Sequence, residues 1–363
     1  MDITVSHPKL IEALELISRI SVKHVTLPVL QCVRMEARDN KVILQATNLE
    51  VSLEIELSAK VSEGGVLAVP AQTFLQSIQF ASQPEITLRA EEQVLQIETE
   101  STNTSIKIFP IDEFPNLKTI SGTSMVLSAS MFAYGIKSVA FAASQTSIKP
   151  ELGSVFIQQK KEHSLTFVAT DSFRLMEKTV PQKNLILEQS IMIPHKNALE
   201  MARVCEVVGG DVAFIVNENQ CALSFEGVYF TTRLVSGNFP DYEQIIPKEY
   251  VSHATTLKED LVRTFKKTNI FLNKFRQVSL TVTDKNLTIA SQNAEIGHTT
   301  NTVKADTEGE EMTLNFNQQY IMDPLPNIQD DSIKMSFAGM GRAMVMKGVS
   351  ETSFRYLVMP MNK

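Results

Sequence analysis

A chain of 363 residues with 43% apolar and 21% charged side chains, 14 Gly and 14 Pro has the balance of a globular protein, which excludes disordered, collagenous and low-complexity architectures. At roughly 150 residues per domain, two or three separate cores are expected. The 34 Lys and Arg stand against 41 Asp and Glu, and the resulting formal charge of −7 argues by itself against a polyanion as partner.

The first ten residues, MDITVSHPKL, contain no basic region leading into an apolar run, so no secretory signal is expected. The longest weakly charged stretch, 131–147, is broken by Lys137, and a cytoplasmic protein without a membrane span is expected. An amphipathic helix is predicted over 7–20, with Leu10, Ile11, Leu14 and Ile17 on one side. Strands follow at Val42-Ile-Leu-Gln-Ala-Thr-Asn48 and Val51-Ser-Leu-Glu-Ile-Glu-Leu57, whose alternation means one buried and one wet face. Residues 65–80 read as a strand running straight into a second amphipathic stretch, and 105–117 as a strand closing in proline.

The succession then starts again. A helix over 129–143, the strand Leu165-Thr-Phe-Val-Ala-Thr-Asp171, a strand-to-helix unit at 190–205 and a proline-closed strand at 229–242 form a second round. The third has a helix over 257–272, the strand Leu287-Thr-Ile-Ala-Ser-Gln292, a strand-to-helix unit at 311–326 and a last strand at 354–361. In this round Pro324 and Pro326 remove amide donors and clash with the preceding turn, so the helix should stop after about Met322.

With Ala46, Ala169 and Ala290 as equivalents, the offsets are 123 and 121. Pro70 and Pro194 lie 124 apart, and Phe114-Pro115 and Phe239-Pro240 lie 125 apart. Three unrelated markers on one period divide the chain into three copies of one α+β domain, 1–122, 123–250 and 251–363.

No chemistry stands out in these copies. None of the six histidines or three cysteines sits in a nucleophile elbow, and there is no phosphate loop. Gly339-Met-Gly341 reads as a hairpin turn, and the acidic groups Asp112-Glu113, Asp330-Asp331 and 308–311 lack ligand spacing. Cys32, Cys205 and Cys221 are expected as buried reduced thiols. Asp171 taken alone suits a catalytic acid, but its equivalents Asn48 and Gln292 share its shape and not its acidity, which favours turn capping. No catalytic residue, metal or cofactor is expected.

Charge is informative once the helices are counted apart. The predicted helices with their flanks (7–24, 71–83, 128–149, 195–206, 256–276 and 317–329) carry a net +6 of the total −7, which leaves −13 on strands and loops. If the helices share a surface, a polyanion could be held there through phosphates without base reading. The plainer reading is helix surfaces that are merely basic.

Four motifs in register, Thr26-Leu-Pro-Val-Leu30, Ala169-Thr-Asp-Ser-Phe-Arg-Leu175, Asn238-Phe-Pro-Asp-Tyr242 and Tyr356-Leu-Val-Met-Pro-Met361, resemble the bacterial DNA sliding clamp family, the beta subunits of the replicative DNA polymerase III. The likeness runs over the whole length. It implies a head-to-tail homodimer whose six domains, each two helices against antiparallel sheets, close a ring round double-stranded DNA. It implies a processivity factor, not an enzyme, with the polymerase catalytic subunit, the clamp loader and other clamp-binding repair and replication proteins as partners. A DNA-free peptide-binding scaffold of the same fold is the alternative, and a hydrolase built round Asp171 a third reading.

Carried over by position, the resemblance implies a partner-peptide pocket of Leu152, Thr170, Phe173, Arg174, Leu175, Pro240, Ile245, Tyr320, Leu357, Met359, Pro360 and Met361, in which Thr170 and Arg174 hydrogen-bond peptide carbonyls. The same residues, without it, read as ordinary core at a domain junction. DNA contacts are implied at His24, Gln72, Lys149, His195 and Lys196, with Lys23 compensating where His24 and His195 replace the usual arginine and make phosphate attraction pH-dependent. Ile106 and Ile108 of one subunit are expected to meet Phe271 and Leu272 of the other. Ser172-Phe173, Gln244 and the tail Asn362-Lys363 depart from the family pattern.

Overall fold

The computed structural model describes residues 1–99, 102–146, 148–183 and 186–361, so the tail Asn362-Lys363 lies outside the described residues. Six α-helices occur among them: α1 (His7–Ile20), α2 (Ala71–Ile78), α3 (Ala129–Val139), α4 (His195–Val208), α5 (Lys258–Thr268) and α6 (Gln318–Met322). The element order strand, helix, four strands, helix, three strands occurs three times, with one extra short strand, Asp306–Gly309, in the third copy. By contacts the chain forms two compact units: Met1–Ala133 with Lys183–Ile186 and Lys196–Leu234, and Tyr134–Gln182 with Leu187–His195 and Val235–Lys363.

In the first unit one antiparallel sheet of twelve strands takes in strands of both the first and second copies. The junction is the pairing of Val228–Arg233 with Val51–Glu63, in which Phe230 faces Leu53. Helix α1 buries Leu10, Ala13, Leu14, Ile17 and Ile20, the spacing of one apolar stripe, and His7 Nε2 donates to the Ile78 carbonyl at 2.8 Å. That bond ties the start of α1 to the end of α2.

The second unit holds a nine-stranded sheet and a separate four-stranded one. The nine-stranded sheet crosses from the second copy to the third where Arg174–Pro181 pairs with Phe354–Val358. Helix α5 stops at Thr268, and Asn269–Phe271 tightens into a 3-10 turn, so the helix predicted to Leu272 is one turn too long. The helix predicted over 129–143 likewise ends at Val139 and continues as the 3-10 turn Ala140–Ala142. Helix α6 ends at Met322, where its prolines stop it, and buried Gln318 compensates for its shortness by donating to the Phe265 carbonyl of α5 at 3.1 Å.

Burial pushes the thiols of Cys32 and Cys205 up to about 12, and that of the equally buried Cys221 up as well, so all three are inert apolar core. Gly339 and Gly341, both at positive φ, form the connection between the paired strands Ser332–Phe337 and Met344–Gly348, as a hairpin turn requires. Asn48 Oδ1 accepts from the amides of Glu50 and Val51 at 3.0 and 2.8 Å, and Asp171 Oδ1 from those of Phe173 and Arg174 at 2.9 and 3.0 Å. In the third copy the cap is Asn293, which accepts from Glu295 N at 3.0 Å, and not Gln292. A glutamine is one methylene too long for this turn.

Gly135 of α3 sits directly on the Phe167 ring, where an added Cβ would lie 2.4 Å from Cε2. Alanine is the better helix former by about 1 kcal/mol, yet the overlap costs about 1–3 kcal/mol. Gly135→Ala should therefore lower the thermal midpoint, and adding Phe167→Leu should restore much of it; a stabilised Gly135→Ala would contradict the packing.

Candidate functional site

The ladder between Arg174–Pro181 and Phe354–Val358 sets Leu175 opposite Leu357, and just beyond its end Met359 N donates to the Phe173 carbonyl at 2.8 Å. Beside this seam lies a cleft of about 690 Å³ lined by Thr170, Phe173, Arg174, Leu175, Ile245, Leu357 and Met359 together with the segment 246–249 and 341–343. Leu175 and Leu357 belong to a buried apolar cluster with Val168, Tyr242, Ala343 and Val345, so the base of the cleft is dry and fixed. A second cleft of about 630 Å³ shares Phe173 and Met359 with the first and is walled by Tyr320, Pro360 and Met361. Phe173 is 61% exposed, a large ring standing at the border of the two.

Ten of the twelve expected pocket residues line one cleft or the other. Leu152 and Pro240 line neither. Leu152 is buried, its backbone bonded to Lys149 and Ser144, while Pro240 is exposed two residues before buried Tyr242.

Thr170 and Arg174, expected to hydrogen-bond peptide carbonyls, both make bonds inside the protein. The Thr170 hydroxyl donates to the Arg174 carbonyl at 2.7 Å. Arg174 donates from Nε to Asp171 Oδ2 at 3.0 Å, from one terminal nitrogen to Asp323 and from the other to the Phe141 carbonyl at 2.8 Å, with its guanidinium 4.4 Å from the centroid of the Tyr320 ring. Burial alone would disfavour this charge, but Tyr356 and the two carboxylates more than offset it and hold the guanidinium's pKa above its ordinary value. Arg174 thus joins the Asp171 turn of the second copy to α6 of the third.

A second buried network lies on the same strand. Tyr242 donates to Glu177 Oε2 at 2.6 Å, and Lys160 bridges Glu177 at 2.8 Å and Glu243 at 2.6 Å. Burial would raise the Glu177 pKa, yet the bonds from Lys160 and Tyr242 prevail and hold the carboxyl below its ordinary range. On the other side of the strand, Lys178 is buried and paired with Glu351.

The residues expected at DNA are distributed as follows. Lys23, His24, Gln72, Lys149 and Lys196 are exposed. His195 is only 8% exposed, and its Nδ1 donates to the Gly153 carbonyl at 3.0 Å, so its ring is a packed part of the helix start and not a free imidazole. At the expected subunit contact, Ile106 is 5% exposed because alternation on Asn103–Lys107 turns it into its own core; Ile108, Phe271 and Leu272 are half-buried.

The sequence reading missed Ile246, Pro247, Arg342 and Ala343 at the first cleft and Lys274, Phe275, Arg276 and Gln319 at the second. The run Ile245-Ile-Pro at a domain joint was the available signal for the first group.

Comparison with known proteins agrees from end to end. Residues 1–118, 126–241 and 243–362 match the DNA polymerase III beta subunit N-terminal, central and C-terminal domain families. The chain is similar to the beta sliding clamp of Haemophilus influenzae, 25% identical over 99% of this chain and 100% of that one, and to that of Escherichia coli K12, 26% identical with the same coverage. Among solved structures it is similar to the beta subunit from Thermotoga maritima, with a TM-score of 0.94 at 23% identity covering 100% of this chain and 99% of that one. The Pseudomonas aeruginosa sliding clamp bound to griselimycin gives 0.92 at 24% identity, with both chains fully covered.

The Glu177 network has a pH signature. A carboxyl whose pKa is depressed below the ordinary 4.5 adds stability above that pH and loses it as pH falls through the native value. Thermal melts between pH 7 and 2 should show a shallower acid loss for Glu177→Gln than for the unaltered protein, with about 1–3 kcal/mol lost at pH 7. Equal acid slopes would show that the network does not hold this proton off.

Proposed function

The chain belongs to the DNA polymerase III beta-subunit family, and from that membership we infer a processivity factor: a sliding clamp that encircles double-stranded DNA without reading bases and tethers the replicative polymerase. The observation that carries this reading is the match of all three family domains, in order, over nearly the whole chain. We take the domains as 1–122, 123–250 and 251–363.

A pairing rule supports the homodimer. The last strand of the second copy pairs with the fourth strand of the first, and the last strand of the third copy with the fourth strand of the second. One strand of each kind is left over. Asn103–Lys107, the last strand of the first copy, and Gly297–Lys304, the fourth of the third, are both sheet edges. Joining them between two chains repeats the rule head to tail and closes a ring of six domains. The joint is then made by backbone bonds, with Ile108, Phe271 and Leu272 beside it, and Ile106 supports its strand from within.

In such a ring DNA is retained by topology, and exposed Lys23, Lys149 and Lys196 attract phosphates. The two clefts take linear peptides of the polymerase, the clamp loader and other replication and repair proteins. The clamp itself makes and breaks no bonds. No helix among the described residues is long and apolar enough to cross a membrane, and a factor working on chromosomal DNA is inferred to act in the cytoplasm.

Loader-assisted closure on nicked circular DNA should give complexes that survive gel filtration and are lost once the circle is linearised. Equal retention on both forms, or a protein that remains monomeric at micromolar concentration, would overturn the encircling reading. Leu175→Ala combined with Met361→Ala should weaken a polymerase-derived peptide about tenfold or more while leaving the dimer unchanged in sedimentation. Loss of the dimer in that variant would contradict the placement of the pocket.

A further inference from the structure

The second cleft carries a feature that the family-derived residue set does not use. Its lining includes Lys274 and Arg276 and no Asp or Glu, and Phe275 between them is 56% exposed. The turn that presents these three is firmly built. Asn273 Oδ1 accepts from Phe275 N at 3.0 Å and Gln277 N at 3.1 Å, and Arg276 N donates to the Asn273 carbonyl at 2.9 Å. Arg276 sits at φ +53°, an uncommon conformation for a residue with a side chain, and is held there because its carbonyl accepts from Gln318 N at 2.8 Å. Its own guanidinium donates to Gln319 Oε1 at 3.1 Å, and Lys274 Nζ lies 5.0 Å from the Phe275 centroid.

Among the described residues neither cation has a carboxylate within ion-pair distance, in a chain whose net charge is −7. The first cleft adds Lys248 and Arg342 against Glu249. Around the shared Phe173 and Met359, apolar walls are therefore rimmed by net positive charge.

We propose that Lys274-Phe275-Arg276 extends the peptide site and selects linear partner peptides that carry acidic residues next to their apolar core. The proposal rests on the reading that the clefts take partner peptides. The peptide lies across Phe173 and Met359, buries its apolar side chains against Leu175, Met359 and Met361, and sets its carboxylates against Lys274 and Arg276. A single-stranded nucleic acid would also meet cations and rings here, but it stacks on free aromatic faces. One face of Tyr320 is covered by Arg174 and one of Phe275 by Lys274, and the other walls are Met359, Pro360 and Met361.

The test uses the full-length protein and a fluorescent nonapeptide with a Leu-Leu-Phe centre, made with aspartate, asparagine or lysine flanks. Affinity should fall in that order at low salt, with about three- to tenfold between aspartate and lysine, and the spread should shrink at high salt. Lys274→Glu with Arg276→Glu should reverse the order, and a single cooperative thermal transition for this variant certifies its folding. Three peptides that bind equally well would overturn the selectivity and leave the pocket standing. Binding of none would overturn the pocket reading and the proposal with it. Displacement of the aspartate peptide by a short oligonucleotide, abolished in the double variant, would assign the turn to nucleic acid instead.

Discussion

An antiparallel sheet is never complete at its edge, and the need to satisfy that row of amides and carbonyls organises this molecule. Each copy of the domain ends in a strand that finds its partner on the preceding copy: Val228–Arg233 on Val51–Glu63, and Phe354–Val358 on Arg174–Pro181. The consequence is that the copies are not beads on a linker but stretches of shared sheet. The same logic makes a single chain unfinished, since Asn103–Lys107 and Gly297–Lys304 end as open edges. In the proposed dimer a second chain supplies both missing partners at once, so the assembly that suits a clamp is also the one that leaves no sheet edge at these joints.

The seam in the second unit shows how such a joint comes to carry a cleft. Strand pairing brings Leu175 against Leu357, and Arg174 then fastens the turn at Asp171 to Asp323 at the end of α6. That arginine is held by two carboxylates, a carbonyl and an aromatic face. It fixes the walls of the cleft, which in the proposed reading lowers the ordering cost of binding a peptide. In that reading, affinity comes from apolar burial on leucine and methionine, and selectivity from the charges on the rim.

Much of this was legible in the chain. The threefold period survived because alternation, strand-to-helix units and proline stops are each enforced by local backbone physics, and Pro324 and Pro326 end α6 where steric clash requires. What stayed hidden depends on contacts far apart in sequence. Nothing near Ile106 tells which of its two faces the sheet will bury, nor does the segment at 274–276 announce that it will border a cleft with residues 359–361. Arg174 was recognised as a site residue, yet its role turned on Asp323, 149 positions away. The shift of the turn cap from Gln292 to Asn293 was local, and side-chain length alone would have indicated it.

The chemistry of the helix cations bears on how a clamp can hold DNA and still move along it. Each arginine on the α-helices is engaged by carboxylates: Arg19 and Arg203 share Glu200, and Arg263 is bracketed by Glu259 and Asp260. The guanidinium is the group that would otherwise grip a phosphate with two parallel hydrogen bonds and so favour one register. Lys9, Lys196, Lys266 and Lys267 stand exposed instead, and an ammonium on a flexible stem attracts phosphate as a point charge with little angular preference. In the proposed ring a field made of such charges would be nearly even along the duplex, so displacement by one base pair would exchange one set of weak contacts for an equivalent set. Tight arginine clamps would add affinity, but at the expense of sliding, and a protein that holds its polymer by enclosure has no use for them.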